Sequence, residues 1–288
     1  MTTIAAQVKI IRRLLQDEPL TDVLAASIAA SSTTTMTVTD VTKFAVGQWW
    51  EFDDDTGDKV LVTAVNTSTS VCTIRRSYRG STGAAHSNAA VLAKQPRFEY
   101  DTVSQAINTV LDSDLDGENI YDLIEHQVTS SATTDYYNAP ATACERFLDV
   151  YQKTASMLSP RRGNLWFSPL PTNADTALYA NGKYFVIQGN YGVAGTDIYY
   201  VTCRHPLAIG TLTSGQERIV QFLACAYLLE WTEPKRLAGP NNQGDTTVKP
   251  GDANRTAAYW RSLAEEQMSK EQQRLKNLFP PQRRFVRQ

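Results

Sequence analysis

The segment that decides the fold reads MTVTDVTKFAVGQWWEFDDDTGDKVLVTAVNTSTSVCTIRRSYRGSTGAAHSNAAVLAK and spans residues 36–94. Runs of β-branched and aromatic residues alternate in it with turn residues, a pattern typical of short strands. The expected strands are residues 37–39, 49–52, 59–65, 71–75 and 91–92. The Asp-rich segment 53–58 and the segment 66–70 are suited to hairpin turns. The pattern predicts a small β barrel or sandwich over residues 33–96.

Outside this module the pattern is helical at both ends of the chain. Apolar residues at helical spacing between Ile4 and Leu15 predict a first helix that ends before Pro19. The opposite face of this helix carries Lys9, Arg12 and Arg13. We interpret these cations as a solvated face rather than a phosphate contact. Residues 20–32 fit either a short second helix or a loose linker.

Further helices are expected after the module. The predicted helical segments are one capped by Asp101 and Thr102, then 120–128, 139–158, 215–231 and 254–277. Segment 215–231 is apolar on most sides, which indicates burial inside a bundle or between subunits. Segment 254–277 is amphipathic, with charge pairs of opposite sign.

A second β-rich region is expected in the middle of the chain. Its predicted strands are residues 164–168, 177–180, 183–188 and 197–203. Asn181-Gly182 is the strongest hairpin turn in the sequence, and the glycine-rich segment 189–195 is interpreted as a hairpin connection. The tyrosines of this region favour sheet or subunit packing over a glycan platform.

The fold class is therefore predicted as α+β, a helical bundle core with two β-rich insertions, one a small barrel or sandwich and the other a β-hairpin sheet. The predicted segments are an N-terminal helical segment (1–32), the β module (33–96), the helical core (97–163), the second insertion (164–213), C-terminal helices (214–278) and an extended basic tail (279–288).

Composition is that of a globular protein. The 288 residues are 42% hydrophobic and 20% charged, and the formal net charge of -2 does not indicate binding of nucleic acid over the whole surface. No run is apolar for long enough to cross a bilayer, and the N-terminus lacks a signal-peptide pattern. We therefore expect a soluble protein made in a cytoplasm, without contact to a membrane.

Chemical motifs are few. The four cysteines (Cys72, Cys144, Cys203 and Cys225) are scattered and read as reduced, mostly buried thiols rather than zinc ligands. Asp112, Asp114 and Asp116 resemble the first half of an EF-hand calcium loop, but the glutamate that completes the ligand set is missing. Helix ends explain the same residues without a metal. No G-x-S-x-G, H-E-x-x-H or P-loop pattern occurs, so neither an enzyme nor a cofactor is expected.

Three motifs of the β module carry a resemblance: FAVG at 44–47, LVTAV at 61–65 and RSYRGSTGAAH at 76–86. Together they resemble a module found repeatedly in virion proteins of tailed bacteriophages, among them adaptors and tail-completion proteins. Ser77 stands where the usual pattern has glycine, and Ser81-Thr82-Gly83 is looser than the common form. The resemblance covers the module and not the remainder of the chain.

The predicted plan, a helical core with β insertions, is similar to that of phage head–tail adaptors. The resemblance implies a structural virion protein at the neck, made in the host cytoplasm, that forms a dodecameric ring and binds the portal protein. Such a ring extends the DNA channel without sequence-specific binding and contacts a stopper or tail terminator on its tail side. The alternative is a tail or decoration protein that binds a host-surface glycan.

The last ten residues, FPPQRRFVRQ, are basic and carry apolar anchors. A disordered end is one interpretation of this tail. The other is an extended arm that docks on a neighbouring ring through backbone pairing and arginine–carboxylate contacts. In the adaptor hypothesis this arm binds the portal. The portal-binding residues would be Phe279, Arg283, Arg284, Phe285 and Arg287.

Overall fold

The structure is a computed structural model. It describes residues 3–29, 33–115, 120–129, 136–138, 146–152, 166–169, 184–188, 198–205, 207–237 and 252–278. The protein is a mixture of helix and sheet, as the α+β class predicts. The chain divides into two compact units, one of residues 1–113 and 209–270 and the other of residues 114–208 and 271–288.

The first unit is built on a six-stranded antiparallel sheet. Its strands are β1 (Thr21–Val23), β2 (Thr35–Thr37), β3 (Trp49–Phe52), β4 (Lys59–Asn66), β5 (Val71–Arg75) and β6 (Val91–Lys94). Their order is β1-β6-β3-β4-β5-β2, and the sheet curls into a half-barrel. A bridge between Leu24 and Val38 links the ends of the two outer strands. The edges of the sheet are thereby tied to each other, which protects them from pairing with other chains.

Alternation along the strands places one face of the half-barrel in a core. Trp50 and Phe52 of β3 are fully buried, and Phe44 stacks on the Trp50 ring with centroids 4.0 Å apart. The β module predicted for residues 33–96 thus contains the predicted strands, with the first shifted by two residues to β2. Residues 20–29 are neither a helix nor a loose linker, because β1 adds an outer strand next to β6, and residues 30–32 lie outside the described residues.

Three helices of this unit contact one another in every pair: α1 (Ile4–Leu14), α2 (Tyr100–Thr109) and α3 (Ser214–Leu237). α1 is the predicted first helix, capped by the Thr3 side chain, which accepts the Ala6 N–H. α2 is also confirmed, but its N-cap is Glu99 rather than the predicted pair. Residues 252–270 of α4 (Asp252–Leu278) also belong to this unit.

The apolar helix α3 is buried within a single chain. Its interior residues are 0–7% exposed: Ile219, Val220, Leu223, Ala224, Cys225, Ala226, Leu228 and Leu229. The Gln221 amide donates to the side-chain oxygen of Gln7 on α1 at 2.9 Å. On the other side, Phe222 packs against Trp260 of α4, and Arg261 forms a bidentate ion pair with Glu230. Of the two sequence interpretations, burial inside the fold therefore holds, and α3 is not left to be covered by another subunit.

The described residues of the second unit form two three-stranded antiparallel sheets. Its strands are β7 (Asp122–Thr129), β8 (Tyr136–Asn138), β9 (Arg146–Gln152), β10 (Trp166–Pro169), β11 (Tyr184–Gln188) and β12 (Ile198–His205). The strand orders are β7-β12-β9 and β10-β11-β8. The predicted strands 183–188 and 197–203 are confirmed as β11 and β12, and 164–168 is shifted to β10. The predicted strand 177–180, the Asn181-Gly182 turn and the segment 189–195 itself lie outside the described residues.

Two predicted helices in this unit are wrong. Segments 120–128 and 139–158 contain β7 and β9 where helices were expected. β7 and β9 pair with opposite sides of β12. The backbone N–H and C=O groups of β12 therefore have hydrogen-bond partners on both sides. Tertiary pairing therefore overrides an ambiguous apolar spacing.

No helix in the described part of the chain is long and apolar enough to cross a membrane.

The burial of α3 predicts the effect of truncating its core. Leu223→Ala should lower the free energy of unfolding by about 2–5 kcal/mol, because a buried leucine is replaced by a cavity. Chemical denaturation of dilute protein followed by circular dichroism measures it, and the loss should not depend on protein concentration. Val46→Ala is the control, since Val46 is 65% exposed. A Leu223→Ala protein that is as stable as the wild type but fails to self-associate would contradict intramolecular burial.

Candidate functional site

The segment 53–58, which we call the acidic turn, joins β3 to β4 and carries four carboxylates: Asp53, Asp54, Asp55 and Asp58. Gly57 in this turn has φ +58°, a left-handed conformation that favours glycine. A Cβ on Gly57 would lie 2.5 Å from Cδ1 of Tyr100, at the start of α2. The close approach of this backbone to the Tyr100 ring therefore requires glycine.

One side of the acidic turn holds α1. The backbone N–H of Ala5, in the first turn of this helix, donates to the Asp55 carboxylate at 2.9 Å. A carboxylate at this position satisfies a free N–H and complements the helix dipole. One turn further along, the Lys9 ammonium lies 3.2 Å from the Asp53 carboxylate. The predicted hairpin turn thus also positions the first helix.

Below these contacts lies a buried ion pair between α1 and β3. Arg12 donates to the Glu51 carboxylate at 3.0 Å and to the Phe98 carbonyl at 2.9 Å. Glu51, which is fully buried, also accepts the N–H of Tyr100. Burial raises the pKa of Glu51 to about 7, although Arg12 and the Tyr100 N–H oppose the rise. The interpretation of Arg12 as part of a solvated face is therefore wrong, whereas Arg13 is exposed as predicted.

The other side of the acidic turn holds His86, the last residue of the RSYRGSTGAAH motif. Its imidazole is buried and stacks on the Phe52 ring, with centroids 3.5 Å apart. Nδ1 lies 2.7 Å from the Asp54 carboxylate, and Nε2 lies 3.1 Å from the Asp58 carboxylate. Since both ring nitrogens face carboxylate oxygens, both act as donors in the protonated imidazolium. The structure therefore favours a charged histidine between two aspartates.

The electrostatics of this trio follow from its contacts. Burial by itself would lower the pKa of His86, but the hydrogen bonds and charges of Asp54 and Asp58 outweigh it and raise the pKa above 6.5. For both aspartates, burial by itself would raise the pKa, but the hydrogen bond from His86 leads the opposing contacts and the pKa falls below 3.8. All three groups are therefore stabilised in their charged forms in the folded protein.

Arg76, the first residue of the same motif, also contacts Asp58. Its guanidinium donates to the buried Asp58 carboxylate and to the carbonyl of Ala84. The N–H of Ala84 donates to Asp58 at 3.3 Å, and the Ser81 hydroxyl accepts the N–H of Lys59 at 2.9 Å. Both ends and the middle of the 76–86 loop are thus fastened to the acidic turn and the start of β4. This part of the motif is a structural clamp.

The remaining motif residues point outward. The Arg75 guanidinium, just before the motif, lies 5.3 Å from the centroid of the Tyr78 ring, and the Arg79 guanidinium lies 5.2 Å from that of Trp49. Arg79 also forms an ion pair with Glu99 at 2.7 Å. Arg75 and Arg79 are both exposed. The 76–86 loop therefore has a buried side that clamps the fold and an outer side that presents arginine–aromatic pairs.

Most of the sites predicted from the sequence are not part of the acidic turn or the 76–86 loop. The portal-binding residues Phe279, Arg283, Arg284, Phe285 and Arg287 lie outside the described residues, as does Asp116. Asp112 and Asp114 lie in a π-helical turn, Val110–Asp114. In the portion of the chain that the structure describes, no three His, Cys, Asp or Glu side chains are grouped to hold a metal ion. Cys72 and Cys225 are buried free thiols, as predicted, and burial raises their pKa values to about 11 and 12.

From the sequence, 53–58 was predicted only as a hairpin turn. The ion pairs and hydrogen bonds of its carboxylates with α1 and the 76–86 loop were not predicted. A signal was present in the four carboxylates within six residues, far more than a hairpin turn requires. The partners of these carboxylates, from Lys9 to His86, are separated from them by tens of residues. Only the curvature of the sheet brings them together.

The chain matches no protein-family model, and no curated protein sequence is significantly similar to it.

The trio of His86, Asp54 and Asp58 predicts a pH dependence of stability. Its contribution should be complete between about pH 4 and 6.5, because the aspartate pKa values are lowered from 3.8 and the histidine pKa is raised from 6.5. Above pH 6.5 the unfolded chain loses the histidine proton first, so stability falls as pH rises. Below pH 3.8 the unfolded chain gains aspartate protons first, so stability falls as pH decreases.

Urea denaturation over roughly pH 3 to 9 measures this profile. His86→Gln should flatten the alkaline decline relative to the wild type, and taking the difference of the two proteins removes the separate contribution of Glu51. The double variant His126→Gln/His205→Gln is the control and measures how much of the decline comes from the other two histidines. Parallel alkaline profiles for the wild type and His86→Gln would contradict a charged His86.

Ser77 predicts a stabilising substitution. It adopts φ 54°, ψ 39°, a left-handed conformation, at the position where the resembling module has glycine. Ser77→Gly should raise the free energy of unfolding by up to about 1 kcal/mol, because a side chain in this region is strained. Ser77→Ala is the matched control, since it keeps the strain and loses only the hydrogen bond that the Ser77 hydroxyl accepts from Gly83. Thermal unfolding compares the two, and equal melting temperatures would show that this conformation is not strained.

Proposed function

We propose that this chain is a structural virion protein of a tailed bacteriophage, a head-to-tail adaptor. Its copies form a dodecameric ring at the neck that binds the portal and extends the DNA channel towards the tail. DNA passes through this ring without sequence-specific binding. A stopper or tail terminator binds the tail-side face.

The single observation that carries the proposal is the clamp built by the RSYRGSTGAAH motif. Arg76 and His86 stand at the two ends of this motif and both contact the Asp58 carboxylate. Asp58 itself lies in the acidic turn, outside the motif. A motif whose residues depend on one another and on a distant partner supports descent from a shared fold better than an exposed match would. The similarity to the phage virion module therefore rests on residues that build the fold.

The arrangement of elements is a second support. The helices α1, α2 and α3 contact one another, and each β-rich segment lies between two of them in the sequence. This order fits a helical core that carries two β-rich insertions, which is the plan that the adaptor resemblance implies.

The proposed ring needs contacts other than α3, which is already covered. A cyclic ring uses two different surfaces of each subunit that complement each other. Val46 in the β module is 65% exposed and Tyr259 on α4 is 57% exposed. They are candidates for such contacts, whereas the tail residues 279–288 are proposed to reach the portal.

The proposal predicts where the protein resides and what its tail does. A tagged chain should be seen at the neck of negatively stained particles. A chain truncated after Phe279 should remain folded by circular dichroism but fail to join portal-containing heads, because it lacks the three arginines of the tail. The triple variant Arg283→Lys/Arg284→Lys/Arg287→Lys is the control: it keeps the tail charge but lacks the arginine fork, so it should attach better than the truncated chain and less well than the wild type.

Two outcomes would count against this proposal. Label at the capsid surface or the tail tip, together with saturable glycan binding, would support the decoration or tail protein instead. Normal incorporation of the truncated chain would remove the tail as the portal contact, while leaving the neck location intact.

A further inference from the structure

The outer face of the half-barrel carries a continuous strip of side chains. Trp49 of β3 is the register partner of Leu61 of β4, and Leu61 is the partner of Arg75 of β5. Directly opposite residues on neighbouring strands stand on the same face of a sheet. Trp50 and Ile74, the sequence neighbours of the two end residues, are 0% and 3% exposed, so the opposite face is the core. The three partners therefore lie on the outer face.

The 76–86 loop extends this row at both ends. We define the outer strip as Trp49, Leu61, Arg75, Tyr78 and Arg79. Each guanidinium in it is paired with an aromatic ring, Arg75 with Tyr78 and Arg79 with Trp49, at 5.3 and 5.2 Å. Such pairing holds a guanidinium in place while leaving N–H groups at its edge for another acceptor. The clamp beneath the loop fixes the backbone that carries Tyr78 and Arg79.

The charge of the outer strip is positive. Among the residues described by the structure, no carboxylate lies within ion-pair distance of the Arg75 guanidinium. Arg79 is paired with Glu99, but Glu99 also contacts the buried Lys59 ammonium at 2.9 Å. Lys59 also pairs with Asp101, so two carboxylates, Glu99 and Asp101, face the three cations Lys59, Arg79 and Arg75. The strip is therefore complementary to an acidic partner.

We propose that the outer strip is a docking surface for an extended, carboxylate-bearing segment of a neighbouring protein. Arginine, tryptophan and tyrosine are the residues that contribute most often to the binding energy of protein interfaces. Leu61 supplies an apolar centre between the two arginine–aromatic pairs, and each guanidinium offers the fork that binds a carboxylate. In the neck, a placement that rests on the proposed function, the partner is an adjoining virion protein.

A protein partner fits this strip better than DNA does. Binding to the phosphate backbone gains affinity from several phosphate contacts, typically about 6–10 in specific complexes. The outer strip offers two guanidinium groups around a leucine, with the Glu99 carboxylate beside one of them. An apolar centre flanked by single charges is instead typical of a protein interface with a buried core and a polar rim.

The docking surface is tested on the full-length protein with poly-L-glutamate, which presents carboxylates on an extended chain. In a two-dimensional NMR titration at low salt, the Trp49 indole and the Arg75 and Arg79 side-chain signals should shift. Arg75→Glu/Arg79→Glu should weaken binding by about tenfold or more, since two charged contacts are reversed. Arg97→Glu is the matched control, because exposed Arg97 also lies over an aromatic ring, that of Phe98 at 5.0 Å, but outside the strip.

Each outcome decides the proposal. Poly-L-glutamate shifts that are absent at the strip, or that survive in Arg75→Glu/Arg79→Glu, overturn it. A DNA duplex that shifts the same signals more strongly than poly-L-glutamate overturns the protein partner in favour of nucleic acid.

Incorporation into particles separates this proposal from the adaptor function. If the wild type and Arg97→Glu join the neck and Arg75→Glu/Arg79→Glu does not, both proposals stand. If all three join equally, the strip is not used in the neck and the adaptor function stands. If the wild type is absent from the neck, the adaptor function is wrong. The NMR titration then still tests whether the outer strip is a docking surface.

Discussion

The carboxylates of the acidic turn are the constraint on which the first unit depends. Asp53 and Asp55 hold α1, whereas Asp54 and Asp58 hold the 76–86 loop. Helix, sheet and loop are thus joined at six consecutive residues. Leaving a buried charge without its partner costs about 3–5 kcal/mol, although a well-packed apolar replacement of a whole pair is often neutral. The acidic turn therefore specifies the arrangement of helix, sheet and loop more than it stabilises the sheet. The stability of the sheet comes from the apolar surface buried in its core.

The two sides of the 76–86 loop have different physical tasks. On the buried side, Arg76 and His86 meet the same aspartate, so the loop has one closed conformation. On the outer side, Arg79 is exposed and Tyr78 is half-buried. A surface whose backbone is held rigidly loses little conformational entropy on binding. The same clamp that makes the motif recognisable therefore also prepares its outer residues for an interaction, and this links the structural and the proposed functional role of the module.

The secondary-structure predictions were confirmed where the periodic pattern allowed one interpretation. β3, β4 and β5 were predicted because β-branched and aromatic residues alternate between clear turns, and α1 because apolar residues recur every three or four positions. The helix predictions for the segments that contain β7 and β9 were wrong, since short apolar runs suit either a helix face or a strand. Only the pairing with β12 decides between helix and strand there. The prediction that Arg12 lies on a solvated face was wrong for a related reason, because its partner Glu51 is 39 residues away in sequence. Local patterns do not report long-range partners.

By itself, the sequence determined five strands of the half-barrel, β2 to β6, and the positions of α1 to α4, because these depend on side-chain periodicity and turn chemistry within a few residues. The tertiary structure decided that the acidic turn contacts both α1 and the 76–86 loop, that His86 lies between two aspartates that raise its pKa, that α3 is covered within its own chain and that Trp49 and Arg75 share one outer face. Each of these depends on charges or surfaces that are distant in sequence and are brought together only when the sheet curls and the helices pack.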